Sequence, residues 1–284
     1  MMTDFSNIFL ISDMDGTLIN SNGKISAINK YALTEFTKHG GTFAVATGRT
    51  LNSCKQYLPE LPINAPSIFY NGTVLQNIDN NVVLNTLSLQ TKLLFDFLKQ
   101  CLIHCSDICI ELHTKDTFYI ITEKQFDDPV INREHLSFIR SNLEDLYDLE
   151  ILKVQFYTTN IHTISWLHNF AKAMEMDKIA KYFTSWSSYF ELIPKNASKG
   201  IMLEKLRQMP MYQDKIFIAV GDFNNDIEML LFADYGIAAQ NATPTLKQVA
   251  DIIGVSCDEH LLSHVINNII PDLDKLMVTN LQTA

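Results

Sequence analysis

The sequence predicts an α/β fold: a doubly wound, Rossmann-like parallel sheet interrupted by an inserted α+β segment. Three observations point there. Apolar runs alternate with helix-like segments near both ends of the chain. The middle changes to a mixed order of helices and strands. Acidic, Gly- and hydroxyl-bearing segments directly follow the apolar runs, where open parallel sheets gather ligands.

The first segment reads β-α-β-α-β. Ile8–Ile11 is a strand, and Ser26 caps a helix running to about His39, where Gly40-Gly41 ends it. Thr42–Ala46 is a second apolar strand, a helix starts near Leu51, and Ser67–Tyr70 is a third strand. Asp79-Asn80-Asn81 is the polar turn of a hairpin. Then the pattern changes: a helix over 88–104, strands at 107–112 and 117–122, and a helix near 135–146. A strand near 150–156, a helix over 161–175 and strands near 179–184 and 188–193 complete an αββαβαββ order. Parallel alternation resumes with a helix from Ser198, a strand at Ile216–Val220 and a helix over 225–233. Strands at Tyr235–Ala238 and Asp251–Val255 and a helix over 259–269 follow. The expected division is therefore 1–84 with 194–284 as one domain and 85–193 as a second.

Composition removes several classes of function. Apolar residues make up 47% and charged residues 19%, the mix of a globular protein. A net charge of −10 with no Lys/Arg run argues against a nucleic-acid partner. No stretch is long and apolar enough for a membrane span, so no membrane partner is expected. Met1-Met2-Thr3-Asp4 lacks the character of a signal peptide, and five cysteines read as free thiols, so the expected location is cytoplasmic. Cys101, Cys105 and Cys109 would share a face on one continuous helix, but buried thiols explain that spacing better than a metal site does.

The chemistry is carried by four segments. Asp13-Met14-Asp15-Gly16-Thr17 places two carboxylates two residues apart after a buried strand, pointing one way into a pocket. A cation or a shared proton would relieve their repulsion. Thr47-Gly48-Arg49 offers a hydroxyl and open backbone at a helix start, which suits a phosphate. Lys199 precedes Gly200 at another helix start. Gly221-Asp222-Phe223-Asn224-Asn225-Asp226 follows the strand at 216–220. Singly, each is an ordinary turn, cap or surface lysine. Asp13-x-Asp15-Gly16 could be a calcium-loop fragment, and Asn20-x-Asn22-Gly23-x-Ile25 resembles one too. The spacing rejects that, because the loop's first and last ligand positions would fall on Leu18 and Asn29. In this order and on these elements the four segments describe one site.

These motifs resemble the haloacid dehalogenase-like hydrolases, in the Cof-type subgroup with a large cap inserted after the third strand. The matches are DMDGT (Asp13–Thr17), TGR (Thr47–Arg49), SKG (Ser198–Gly200) and GDFNND (Gly221–Asp226), with YNGT (Tyr70–Thr73) and AAQNA (Ala238–Ala242) beside them. The resemblance spans nearly the whole chain. It implies a catalytic core over 1–84 and 194–284, a cap over 85–193, and the following roles. Asp13 is the nucleophile that forms an aspartyl-phosphate, and Asp15 the general acid/base. Mg²⁺ is held by Asp13, Asp15 (through its backbone carbonyl) and Asp222. Thr47, Gly48, Lys199 and Asn225 bind the transferring phosphoryl group, Arg49 reaches substrate or anchors its loop, and Asp226 orients the metal's water shell or Lys199. Asn71 and Gly72 shape the rim.

The resemblance also implies a Mg²⁺-dependent phosphatase acting on a small phosphorylated metabolite, a sugar phosphate or similar compound. A phosphomutase or phosphotransferase would share the aspartyl-phosphate, and a catalytically silent binding module would share the fold. The intact set Asp13, Asp15, Lys199 and Asp222 argues against the silent module. Two stretches depart from the family pattern: Phe223-Asn224, where relatives carry small residues, and Val255–His260, where a Gly-containing turn is usual. His113, Phe118, Tyr119 and Trp186 are candidates for substrate contact by residue type alone.

Overall fold

The computed structural model describes residues 4–273 apart from 90, 124, 126, 134 and 186. Along the chain, β1 (Ile8–Ser12) leads to α1 (Ala27–Lys38), β2 (Thr42–Val45), α2 (Leu51–Cys54), β3 (Ser67–Phe69), β4 (Val74–Asn77) and β5 (Val82–Thr86). Every residue of β1 and β2 is buried, as expected of parallel strands covered on both faces. Helix α1 begins where Ser26 Oγ accepts from Asn29 N at 3.1 Å. It buries Asn29, Ala32, Leu33 and Phe36, the i, i+3, i+4, i+7 stripe.

The inserted stretch contains α3 (Thr91–His104), β6 (Cys109–His113), β7 (Phe118–Ile120), α4 (Pro129–Arg133) and β8 (Ile139–Arg140). It continues with β9 (Lys153–Tyr157), α5 (Ile161–Ala173), β10 (Ala180–Ser185) and β11 (Tyr189–Pro194). The chain then returns through α6 (Lys199–Arg207), β12 (Ile216–Gly221), α7 (Ile227–Phe232), β13 (Tyr235–Ala238), α8 (Pro244–Val249), β14 (Ile252–Ile253) and α9 (Leu261–His264). Two compact units result: 1–84 with 198–284, and 85–197. The second unit runs on to Ala197 because β11 extends through Pro194 and Lys195 N then donates to Ile179 O at 2.9 Å.

In the first unit five strands are parallel in the order β14-β13-β12-β1-β2. The chain winds from β1 to β2 on one side and from β12 through β13 to β14 on the other. The reversal point therefore lies between β1 and β12, paired Ser12 with Val220, and crevices for ligands form at such points. The ring of Phe9 stacks on Phe217 at 4.6 Å inside this sheet. The third strand behaves differently from the expectation. It joins β2 through the single parallel bridge Ala46–Ile68 and otherwise pairs antiparallel with β4 in a three-stranded sheet.

The second unit is a six-stranded sheet in the order β10-β11-β9-β6-β7-β8. All pairs are antiparallel except β7 with β8. Its core joins Ile110, Leu112, Val154, Phe156, Phe190 and Leu192 of the strands to Leu94, Phe97 and Leu98 of α3 and Ile164 and Leu167 of α5. The helix expected near 135–146 is replaced by the short α4, the two-residue β8 and a 3₁₀ turn at Leu143–Leu146. Cys101 lies on α3, Cys105 beyond its end and Cys109 on β6, so they share no helix face, and none of the five cysteines forms a disulfide. Burial pushes the Cys105 thiol up to about 11 and the Cys109 thiol to about 12, which keeps both inert. Among the described residues no helix is long and apolar enough to cross a membrane.

Candidate active site

The carboxyl ends of β1 and β12 bring the acidic segments together. Asp13 N donates to Val220 O at 2.9 Å, which extends the pairing one residue past β1 and leaves the Asp13 side chain 8% exposed. Gly16 then turns the chain at φ 75°, and any Cβ there would strike the Asp222 carboxylate. Thr17 Oγ1 donates to Asp222 Oδ1 at 3.2 Å.

Lys199 is the first residue of α6, whose start is fixed by Ser198 Oγ accepting from Ile201 N at 3.0 Å. Its side chain is wholly buried. The ammonium donates to Asp13 Oδ1 at 2.5 Å and to Asp226 Oδ1 at 2.6 Å. The other oxygen of Asp226 accepts from Asp222 N at 3.0 Å and Phe223 N at 3.1 Å. Asp226 thus holds both Lys199 and the turn after β12. Burial opposes the Lys199 charge, but Asp13 and Asp226 outweigh it and push its pKa up. Burial, together with Asp226 and Asp222, holds the Asp13 carboxyl well above the usual range against the pull of Lys199. Asp222 rises to about 6, chiefly through burial and next through Asp226.

Asp13, Asp222 and Asp226 present carboxylate oxygens within 4.8 Å of one another. Three acids against one ammonium leave an excess of negative charge, and the donors are hard oxygens, so the residues fit a small divalent cation. The Asp15 carboxylate is not part of this group. Strand β1 ends at Ser12, so the period-two alternation of a strand no longer sets the direction of Asp13 and Asp15. The Asp15 side chain is 47% exposed and receives two hydrogen bonds from Arg49, Nε to Oδ2 and Nη2 to Oδ1, both at 2.7 Å. The expected pairing of the Asp13 and Asp15 carboxylates is thus replaced in this structure by an Asp15–Arg49 pair, and the carboxylates clustered with Asp13 are Asp222 and Asp226. Arg49 is a partner of Asp15, with its guanidinium 5.3 Å from the centre of the Tyr57 ring.

Thr47 follows β2, is 1% exposed, and accepts from Arg49 N at 3.1 Å. Gly48 lies against Asn71, whose Oδ1 would be 2.9 Å from a Cβ placed there. Asn225 Nδ2 donates to the same Asn71 Oδ1 at 2.8 Å. Asn241, in the AAQNA segment, donates to Gly16 O at 2.8 Å and accepts from Cys257 N at 2.9 Å. The divergent stretch after β14 is thereby tied to the first loop, and its His260 ring contacts Ser26 Oγ at 3.0 Å. Sequence reasoning gave Asn71 only a place at the rim and Asn241 no role. Phe223 is 55% exposed beside Asp222. In the second unit His113 is buried and stacked on buried Phe118 at 5.0 Å, and Tyr119 packs on the hydrophobic core. Trp186 lies outside the described residues.

A family model of haloacid dehalogenase-like hydrolases matches residues 10–266. The chain belongs to that family. This hydrolase is 28% identical to the putative phosphatase YxeH of Bacillus subtilis over 91% of its own length and 96% of that protein. It is 29% identical to an Arabidopsis thaliana protein named chloroplastic endoribonuclease YBEY, over 90% of its own length but only 45% of that protein. A haloacid dehalogenase-like hydrolase structure from Bacteroides thetaiotaomicron superposes with a TM-score of 0.80 at 22% identity, covering 92% of this chain and 99% of that one. This likeness establishes the shared fold.

Proposed function

We propose that this hydrolase is a Mg²⁺-dependent phosphatase that cleaves a small phosphorylated metabolite, a sugar phosphate or similar compound, through a phosphate ester of Asp13. The observation that carries the reading is the buried Lys199 ammonium shared by Asp13 and Asp226 at the sheet's reversal point. The third carboxylate, Asp222, at the same spot leaves more negative charge than one ammonium neutralises, which supports a cation there.

Asp13 and Asp222 would hold the ion, with the Asp15 backbone carbonyl, and Asp226 supports them from behind. A bound Mg²⁺ supplies charge neutralisation, without which a carboxylate and a phosphate dianion repel. Lys199 holds Asp13 Oδ1 and adds positive charge where the phosphoryl group arrives. An Asp13 carboxylate oxygen attacks phosphorus while the bond to the leaving oxygen breaks. Asp15 gives that oxygen a proton. Water then attacks phosphorus, Asp15 takes a proton from it, and the Asp13–phosphorus bond breaks. In this structure Arg49 engages both Asp15 oxygens, so Asp15 gives and takes its proton in the state in which substrate has displaced this pair. The Thr47 hydroxyl donates to no group among the described residues, so its proton is available to a phosphoryl oxygen. The segment over 85–197 is assigned the role of a cap that selects substrate, and the free thiols agree with a cytoplasmic location.

The test is phosphate release from a panel of phosphorylated metabolites, with and without Mg²⁺, by the wild type and Asp13→Asn. Mg²⁺-dependent release that the variant loses is expected. Transfer to a sugar hydroxyl with no free phosphate would instead mark a phosphotransferase.

A further inference from the structure

Three consecutive residues after β3 occupy the left-handed region: Tyr70 (φ 53°), Asn71 (φ 55°) and Gly72 (φ 92°). That backbone is disfavoured for any residue with a Cβ, least so for Asn, and it persists only where surroundings enforce it. Contacts from this turn lead to the segments assigned to phosphate. Tyr70 N donates to Arg49 O at 3.1 Å and Asn71 N to Thr47 O at 3.0 Å, so the turn is stitched to the loop after β2. A Cβ on Gly72 would collide with the Ser198 carbonyl and stand 2.8 Å from Lys199 N, so the turn also abuts the start of α6. The Asn71 side chain, 6% exposed, reaches the loop after β12 by accepting from Asn225 Nδ2 at 2.8 Å.

Asn225 is exposed, and this is its only side-chain hydrogen bond among the described residues. A primary amide carries two N–H donors on one side and a carbonyl acceptor on the other. With the carbonyl facing an anion, Asn225 would repel it. With an N–H facing the anion, Asn225 binds it. We propose that Asn71 is a positioning residue: it engages one Asn225 N–H and so turns the second N–H, rather than the carbonyl oxygen, toward the transferring phosphoryl group. This rests on the reading of Asn225 as a phosphate ligand.

Asn suits the position on two counts. It tolerates φ near 55°, and its carbonyl supplies the acceptor. Asn71→Gly separates them, because glycine keeps the left-handed turn while removing the side chain that carries the acceptor. The experiment measures kcat and KM for p-nitrophenyl phosphate and the inhibition constants of inorganic phosphate and orthovanadate. It compares wild type, Asn71→Gly, Asn225→Ala and the double variant, with melting temperatures as the check on folding. The expected result is a rise of about tenfold in KM and in both inhibition constants for Asn71→Gly, with a nearly unchanged melting temperature. In the Asn225→Ala background the same change should add less than about twofold, because the group through which Asn71 acts is gone. Unaltered inhibition constants, or an equal loss in both backgrounds, would overturn the proposal. A wild type that cleaves no ester and binds no vanadate would overturn the phosphatase reading instead, so the two failures are distinct.

Discussion

At the scale of single residues, the fold places charge where only a partner can stabilise it. Lys199 has no exposed surface, and its ammonium joins two carboxylates. Lys199→Met leaves those carboxylates without their cation, a change that costs about 3–5 kcal/mol when a buried pair is broken. Turnover should vanish and the melting temperature fall, with added Mg²⁺ restoring part of the stability but none of the turnover. Thermal unfolding and phosphate release, each with and without Mg²⁺, check this. Another buried acid sits on β6. Glu111 Oε1 has no hydrogen-bond partner, and burial raises this carboxyl to about 8 against the pull of Lys153. The folded state thus binds this proton more tightly than the unfolded chain does. The stability it contributes is complete below the ordinary value of 4.5 and is lost as pH rises through 8. Glu111→Gln, neutral at every pH, should melt higher than the wild type at about pH 9, by on the order of 1–3 kcal/mol, and the gap should close in mild acid. Melting curves across pH measure it.

At the scale of elements, the parallel strands were the most legible part of the chain. Ile8–Ile11 and Ile216–Val220 are unbroken apolar runs, and burial on both faces is the cause. The motif residues Asp13, Lys199, Asp222 and Asp226 converge because each lies at the carboxyl end of such a strand or at the helix start beside it. Local pattern says less about segments held by distant partners. The stretch near 135–146 contains apolar residues at helix-like spacing, yet Leu143 and Leu146 are buried through a 3₁₀ turn, and Ile139 joins β7 as a strand. The partner of Asp15 was equally hidden, since Arg49 is 34 residues away and no pattern ties the two. Asn71 was placed only at the rim for a related reason: its bond to Asn225 depends on a left-handed turn that sequence marks only by the following Gly72. Helix packing near the site yields its own prediction. A Cβ at Gly200 would stand 2.6 Å from the backbone of Glu228, so α6 lies against α7 with no room for a methyl group. Gly200→Ala should destabilise by about 1–3 kcal/mol and lower kcat, because moving α6 moves Lys199. Melting temperature and kcat, measured together, should both drop.

At the scale of the whole molecule, the chain builds part of a parallel sheet, inserts 85–197 as a separate sheet with its own core, and returns to finish the first. The insertion leaves the reversal point between β1 and β12 intact, although more than two hundred residues separate Asp13 from Asp222. Membership in the haloacid dehalogenase-like hydrolases agrees with that arrangement. The central claim is that Asp13 carries the phosphoryl group between substrate and water. The most direct measurement is a single-turnover reaction with a radiolabelled phosphate ester and Mg²⁺, quenched in acid and followed by peptide mapping. A transient label on the peptide containing Asp13, absent in Asp13→Asn, is the predicted result. Phosphate release with no label on the protein at any time, or label on a different residue, would contradict the account.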